Sequence, residues 1–200
     1  MSRSSLDTRG AGAAGSRPLR TLPDLLRPGL DLVFVGINPG EASARARHYY
    51  AHPGNRFWRE LSSSGLVDRT ATHLDDRRLL EAGIGFTDVV KRVVTDSALV
   101  SHAELRAAAP LLSGRIAYAR PRAVCFTSTR GFAAVFPGVR QSKTWGAQPC
   151  TLEGAAVWLM PSTSGRAAAF RAEGARVLRA LAVDLGRAPA ISATDAEWAA

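Results

Sequence analysis

The stretch "LDLVFVGINPGE", residues 30–41, carries the strongest fold signal in the sequence. Apart from Asp31, residues 31–37 are apolar and rich in β-branched side chains without alternation, which is typical of a central strand covered on both faces. Two glycines, an asparagine and a proline lie within residues 36–40, a composition typical of a tight turn. Asn38 is therefore either a turn residue or a side chain that the turn presents to a ligand.

Strand-like and helix-like segments alternate on either side of this stretch. Strands are also predicted within residues 83–93 and 122–128, and a hairpin pair within 149–162. Helices are predicted at 56–65, 72–83, 101–120, 129–138 and after residue 165, and a long loop at 38–55. This alternation predicts an α/β domain with a mainly parallel sheet.

Two helices have more detailed patterns. The spacing of Ser101 and Glu104 predicts a capping box at the start of the helix over 101–120. Apolar residues of the last helix recur at helical spacing and predict one buried face, formed by Phe170, Val177, Leu178, Leu181 and Leu185.

The composition predicts one folded domain between two tails. With 200 residues the chain is long enough for a single core, which we assign to residues 19–187. Residues 1–18 and 188–200 are predicted to be tails. Residues 1–18 contain no apolar segment of the kind a secretory signal requires, and the apolar runs are shorter than a membrane span. We expect a cytoplasmic, bacterial protein that is monomeric.

The charge predicts a polyanionic partner. The net charge is +9 and the pI about 10.9, and nearly all the positive charge comes from arginine. Arginine suits phosphate groups and guanine edges because its planar group donates two parallel hydrogen bonds. A compositional habit that favours alanine, arginine and glycine explains part of this bias.

The cysteines and histidines predict no metal and no cofactor. Cys125 and Cys150 lie in apolar, strand-like segments, and two thiols cannot supply the four ligands of a structural zinc site. His48 and His52 could form a pair of ligands, but no carboxylate-rich segment accompanies them.

Three unusual segments follow predicted strands: "NPGE" (38–41), "TDVVKR" (87–92) and "PSTSGR" (161–166). Ligands of α/β folds bind beyond the carboxyl ends of the strands, so these segments are expected to form one site. Asp88 is the carboxylate at an apolar strand's end. It either accepts a proton from a water or caps a turn.

Two loops offer further binding groups. In "HYYAHPGNRFW" (48–58), a tyrosine can stack on a flat base or tether the loop to the core, and we expect one tyrosine to be the tether. In "MPSTSGR" (160–166), the amides at the start of the following helix can bind an anion. Ser162 or Ser164 can instead act as an ordinary N-cap. No Gly-x-Ser-x-Gly elbow indicates a serine nucleophile.

Taken together, these segments resemble the family of mismatch-specific uracil-DNA glycosylases and thymine-DNA glycosylases, within the uracil-DNA glycosylase superfamily. The stretches that carry the resemblance are "LVFVGINPG", "HYYAHPGNRFWRELSSSGL", "LDDRRLLEAGIGFTDVVKR", "PRAVCFTS" and "WLMPSTSGRAAAF". With their spacing they cover most of residues 22–183. The resemblance implies a three-layer α/β/α sandwich and a monofunctional enzyme that excises uracil, or another mispaired pyrimidine, from double-stranded DNA, with G·U pairs preferred.

The resemblance also implies roles for individual residues. Asn38 would position and polarise the attacking water. Gly36, Ile37 and Gly40 would border the base pocket, and Tyr50 would stack on the flipped base. The residues that would enter the duplex are Ser162, Thr163, Ser164, Gly165 and Arg166, with Arg166 filling the gap or holding the opposite strand.

This chain departs from the family at two places. One branch of the family has a bulky leucine wedge where this chain has Ser164 and Gly165, so "MPSTSGR" is closer to the thymine-glycosylase form. Asp88 is not a standard catalytic residue of the family, and we hypothesise that it supplies a base to complement Asn38. Two other functions stay open: a non-catalytic mismatch-binding module, and an enzyme that binds a small-molecule phosphate.

Overall fold

The computed structural model describes residues 19–139 and 145–187. The predicted tails, residues 1–18 and 188–200, lie outside the described residues, and so do the side chains of residues 166–168. The division into tails and domain therefore stays a prediction.

A five-stranded, mainly parallel sheet forms the centre of the fold. Its strands are β1 Leu32–Gly36, β2 Ile84–Asp88, β3 Ala123–Phe126, β4 Gly146–Leu152 and β5 Ala155–Leu159, in the order β2-β1-β3-β5-β4. Only β4 runs antiparallel to its neighbour, because it forms a hairpin with β5. The predicted central strand is confirmed: β1 lies between β2 and β3, and all five of its residues are buried.

Helices cover both faces of this sheet. They are α1 Glu41–Ala46, α2 Phe57–Ser62, α3 Asp76–Glu81, α4 His102–Ala119, α5 Thr129–Val135 and α6 Arg171–Asp184. Alternate residues of β1 point to opposite sides. Phe34 belongs to an apolar cluster with α2, α3 and α6, whereas Val33 belongs to a second cluster with α4 and α5. The predicted three-layer α/β/α sandwich is thereby confirmed. None of the described helices is both long enough and apolar enough to cross a membrane.

The fold differs from the sequence predictions in three details. The segment 38–55 is not all loop, since α1 lies within it. Phe170 is not on the buried face of the last helix: it is 45% exposed and belongs to a 3₁₀ turn, Gly165–Phe170, that precedes α6. The capping box at Ser101 is half formed. Ser101 Oγ accepts from the amide of Glu104, whose carboxylate instead accepts hydrogen bonds from Arg92.

The segment before β1 adds to the outer edge of β2. Leu25 and Phe86 exchange backbone hydrogen bonds of 2.9 and 3.0 Å in an antiparallel bridge. This pairing holds Asp24 next to the carboxyl end of β2, where Thr87 Oγ1 donates to Asp24 Oδ1 at 2.6 Å. Asp24, which is distant in sequence from β2, thus lies close to the carboxyl ends of the strands.

Candidate active site

A cavity of about 490 Å³ opens at the carboxyl ends of β1, β2 and β3. The segments that follow the strands meet there, as the sequence predicted. Of the eleven site residues named from sequence, ten line it: Gly36, Ile37, Asn38, Gly40, Tyr50, Asp88, Ser162, Thr163, Ser164 and Gly165. The backbone of the eleventh, Arg166, follows in the 3₁₀ turn.

The turn after β1 is held by the segment after β2. The amides of Val89 and Val90 donate to the carbonyls of Gly36 and Ile37, both at 2.9 Å. Asn38 is half-buried at the bend. Its amide nitrogen donates to the carbonyl oxygens of Pro39 at 2.9 Å and Val94 at 3.1 Å.

These two carbonyl partners fix the orientation of the Asn38 amide, because only the NH₂ group can donate to them. Oδ1 is then the remaining polar atom of a side chain that lines the cavity. An oxygen in that position can accept a hydrogen bond from a water. Asn38 is neutral, however, and cannot act as a strong base.

Asp88 ends β2 directly beside Gly36 in the parallel register. A Cβ atom at position 36 would collide with Asp88 Oδ1, so the glycine makes room for the carboxylate. Asp88 is 3% exposed, and its Oδ2 atom is buried without a hydrogen-bond partner among the described residues. Because Asp88 also lines the cavity, a water or substrate atom there is a natural partner for the carboxylate.

Burial raises the pKa of Asp88 from 3.8 to about 7. The cation of Lys91 opposes the shift, Asp24 adds to it, and Arg115 opposes it. These groups form one network: Lys91 Nζ donates to Asp24 Oδ1 at 2.7 Å, and Arg115 donates to the Asp88 carbonyl at 2.9 Å. A carboxyl group that titrates near neutral pH is suited to take up a proton during a reaction.

The raised pKa of Asp88 has a consequence for stability. The folded protein holds this proton up to about pH 7, whereas the unfolded chain releases it near 3.8. The protonated carboxyl of Asp88 therefore makes its full contribution to the free energy of unfolding below about pH 4, and this contribution is lost as the pH rises through 7. Asp88→Asn is expected to gain stability over the unmodified protein across this window, by up to about 4 kcal/mol. Urea unfolding at several pH values measures the difference, and a difference independent of pH would contradict the assignment.

The two tyrosines have different roles. Tyr49 is the predicted tether: it is 3% exposed, its ring stacks on Phe86, and its hydroxyl donates to the carbonyl of Pro23 at 3.0 Å. Tyr50 lines the cavity in the left-handed backbone region, with φ of 52°. Its ring stacks on Phe57 at 4.1 Å. Burial raises its pKa far above the ordinary value, so the hydroxyl stays neutral.

The loop over residues 162–165 is held by Arg56 at the start of α2. The Arg56 amide donates to the carbonyl of Thr163 at 2.9 Å, and its guanidinium donates to the carbonyl of Ser164 at 3.0 Å. Arg56 also pairs with Glu60 at 2.9 Å, and both side chains are buried. This clamp joins the loop to the helix that supports the Tyr50 ring.

The prediction that this loop directly precedes an α-helix is wrong. A 3₁₀ turn intervenes, and no side chain caps it. Ser162 Oγ instead donates to Ser164 Oγ at 3.1 Å and accepts from the Ser164 amide, so the two serines order the loop itself. No side chain caps either this 3₁₀ turn or the start of α6, so the N-cap expected at Ser162 or Ser164 is not formed.

Breaking the Arg56 clamp is expected to destabilise the fold. Arg56→Met leaves the Glu60 carboxylate buried without its partner, which costs about 3–5 kcal/mol. Replacing both residues by apolar ones recovers most of that loss, because no charge then stays buried. Urea unfolding measures both effects, with Arg179→Met, at an exposed position of α6, as the matched control. A single variant as stable as this control would refute the proposed role.

Sequence reasoning missed Thr127 and Ser128, which line the cavity from the end of β3. Thr127 is buried, and its Oγ1 lies 3.4 Å from the Tyr50 hydroxyl. The signal was available, since the strand predicted over 122–128 ends on these two polar residues. Within residues 19–139 and 145–187, no three His, Cys, Asp or Glu side chains are grouped so that they could hold a metal ion.

Comparison with known proteins gives two findings. The family model of the Uracil DNA glycosylase superfamily matches residues 23–185. Among solved structures, the chain resembles a solution NMR structure of a Methanosarcina acetivorans protein that carries a provisional assignment as a uracil DNA glycosylase. The TM-score is 0.52 and the identity 20%, over 82% of this chain and 98% of the other. At this identity the likeness supports the fold.

Proposed function

Because the chain belongs to the uracil DNA glycosylase superfamily, whose members are DNA glycosylases, we propose that it hydrolytically excises uracil from mismatched duplex DNA. The preferred pair is G·U, and the product is an abasic site. The single observation that carries this proposal is that a potential base and a water-binding amide line the same cavity. The buried Asp88 carboxylate, with a pKa of about 7, and the oriented Asn38 amide both line it.

The base reaches this cavity by leaving the helical stack. Flipping costs a few kcal/mol and least for a mispaired base, so G·U and G·T pairs start with an advantage over A·U. The Tyr50 ring, backed by Phe57, offers an aromatic surface for the flipped base. Gly40 lacks a side chain and a Cβ there would meet no atom within 4 Å, so a flat ring can approach the backbone closely at this position, whereas the space beside Gly36 is taken by the Asp88 carboxylate.

Base release then breaks the bond between the sugar C1′ and the pyrimidine N1. The bonding electrons leave with the base, and positive charge develops on the sugar. A water held by Asn38 Oδ1 adds to C1′, and its proton passes to Asp88. The water oxygen ends on the sugar and the base departs as an anion that is later protonated.

The loop over residues 162–165 is proposed to hold the duplex open. It borders the cavity and is tied to α2 by Arg56, so its position is fixed relative to the base pocket. Arg166 follows it and is our candidate for the group that fills the vacated space. An arginine here, without a bulky leucine, favours the thymine-glycosylase form of the family over the leucine-wedge form.

A substrate panel under single-turnover conditions tests this function. Duplexes with G·U, G·T and A·U pairs are compared with single-stranded DNA at saturating enzyme. We expect release fastest from G·U, slower from G·T, and slowest from A·U. Equal rates on G·U and A·U would refute the mismatch preference. Specific mismatch binding without any free base would instead favour a non-catalytic binding module.

A further inference from the structure

We propose that Asp24 is a positioning residue for the proposed reaction, because it holds the cations of Lys91 and Arg115 beside the end of β2 and so controls when Asp88 can take up a proton. This inference rests on the proposed function and adds a residue to it. Asp24 does not line the cavity at the strand ends, so its effect on the reaction is indirect.

Asp24 has three polar partners around the end of β2. Its Oδ1 atom accepts from Thr87 Oγ1 at 2.6 Å and from Lys91 Nζ at 2.7 Å. Its Oδ2 atom lies 3.5 Å from a terminal nitrogen of Arg115, on α4. The side chains of Asp24, Lys91 and Arg115 are 28%, 25% and 19% exposed, so solvent screens their charges only in part.

Both cations are also tied to groups next to the Asp88 carboxylate. Arg115 donates to the backbone carbonyl of Asp88 at 2.9 Å. Lys91 Nζ donates a second hydrogen bond, of 3.2 Å, to the hydroxyl of Tyr49. The two cations are therefore held near the carboxylate, and Asp24 is an anion that contacts both of them.

The charges of this network act on Asp88 in opposite directions. Burial raises the pKa of Asp88 to about 7, Lys91 and Arg115 oppose the shift, and Asp24 adds to it. Asp24 thus offsets two cations that would otherwise stabilise the ionised carboxylate. Without Asp24 the cations lose this compensation, and Asp88 should ionise at a lower pH.

Other titratable groups also face Asp88. Burial raises the pKa of the Tyr49 and Tyr50 hydroxyls far above the ordinary value, so both stay neutral. The remaining titratable groups that line the same cavity are Glu41, His52 and Asp96. All of these groups are unchanged in the variants described next, so a change in the ionisation of Asp88 can be assigned to the network around Asp24.

The pH profile of single-turnover uracil release from a G·U duplex tests this inference. In the unmodified protein the rate should rise with a midpoint near pH 7. Asp24→Asn should move this midpoint down by roughly one pH unit, whereas Lys91→Met should move it up. The double variant should return towards the original midpoint, because it loses one charge of each sign. An ion pair with a merely structural role would leave both midpoints in place.

Asp31→Asn is the matched control. Asp31 also pairs with two cations, Arg122 at 3.6 Å and Arg187 at 2.6 Å. It directly precedes β1 and so lies at the opposite end of the sheet from Asp88. The control should keep the midpoint of the unmodified protein. Thermal unfolding checks that each variant is folded.

A ¹³C NMR titration of the Asp88 carboxyl carbon measures the same ionisation without any reaction. The signal is assigned by its loss in Asp88→Asn. A midpoint of Asp24→Asn that is unchanged or raised, or shifts of Asp24→Asn and Lys91→Met in the same direction, would overturn the inference. Absence of uracil release at every pH would refute the proposed function alone, since the NMR midpoints should still move in opposite directions.

Discussion

Replacing Asp88 with asparagine is expected to slow uracil release from a G·U duplex by about 10²- to 10⁴-fold, the range that a positioned general base contributes. The substitution keeps the shape of the side chain and removes its ability to take up the proton of the attacking water. Asp88 Oδ2 is buried and has no hydrogen-bond partner among the described residues, so no described side chain competes with a water for this oxygen. Single-turnover release at saturating enzyme measures this step.

The matched control makes the same chemical change elsewhere. Glu104→Gln replaces a partly exposed carboxylate of α4 that pairs with Arg92. Its release rate should equal that of the unmodified protein. The Asp88→Asn variant should also stay folded and bind an abasic duplex, because the substitution removes an unfavourable buried charge. An unchanged release rate in Asp88→Asn would remove Asp88 from the mechanism.

Replacing Asn38 with alanine is expected to slow the same step by about 10²- to 10³-fold. The variant loses the oxygen that orients the water, and also the two hydrogen bonds to the carbonyls of Pro39 and Val94 that hold the turn. Its binding of an abasic duplex and its unfolding curve separate the loss of chemistry from a loss of structure.

A double variant of Asn38 and Asp88 shows whether the two residues serve one water. Groups that act as a unit are strongly non-additive, so the double variant should be little slower than the slower single variant. Fully multiplying effects would mean that the residues act on separate steps. Retained base release in Asn38→Ala would end the assignment of the water-positioning role.

The fold could be predicted from sequence because its signals are local. The apolar run of β1 and the alternation of strands with helices are readable along the chain, and they indicate the mainly parallel sheet that the structure has. The convergence of residues at positions 38, 88 and 162 also follows, since parallel strands end at the same edge. The burial that raises the pKa of Asp88 could not be read, because it depends on the whole core.

The details that sequence reasoning missed depend on contacts between distant segments. Arg56 had no local signal for contact with the loop, because the carbonyls of Ser162 and Ser164 that its guanidinium binds lie more than 100 residues away in sequence. Asp24 reaches the site only through the pairing of Leu25 with β2. Phe170 fitted the helical spacing of α6, but the α-helix begins one residue later, at Arg171, and the spacing alone does not reveal the 3₁₀ turn that precedes it.

The pH dependence of single-turnover uracil release from a G·U duplex tests the central claim most directly. A base with a pKa of about 7 works in its ionised form, so the rate should rise with pH below 7 and level off above it. The Asp88→Asn variant should be slow and lack this step. Tight binding of the duplex with no free uracil at any pH would contradict the account.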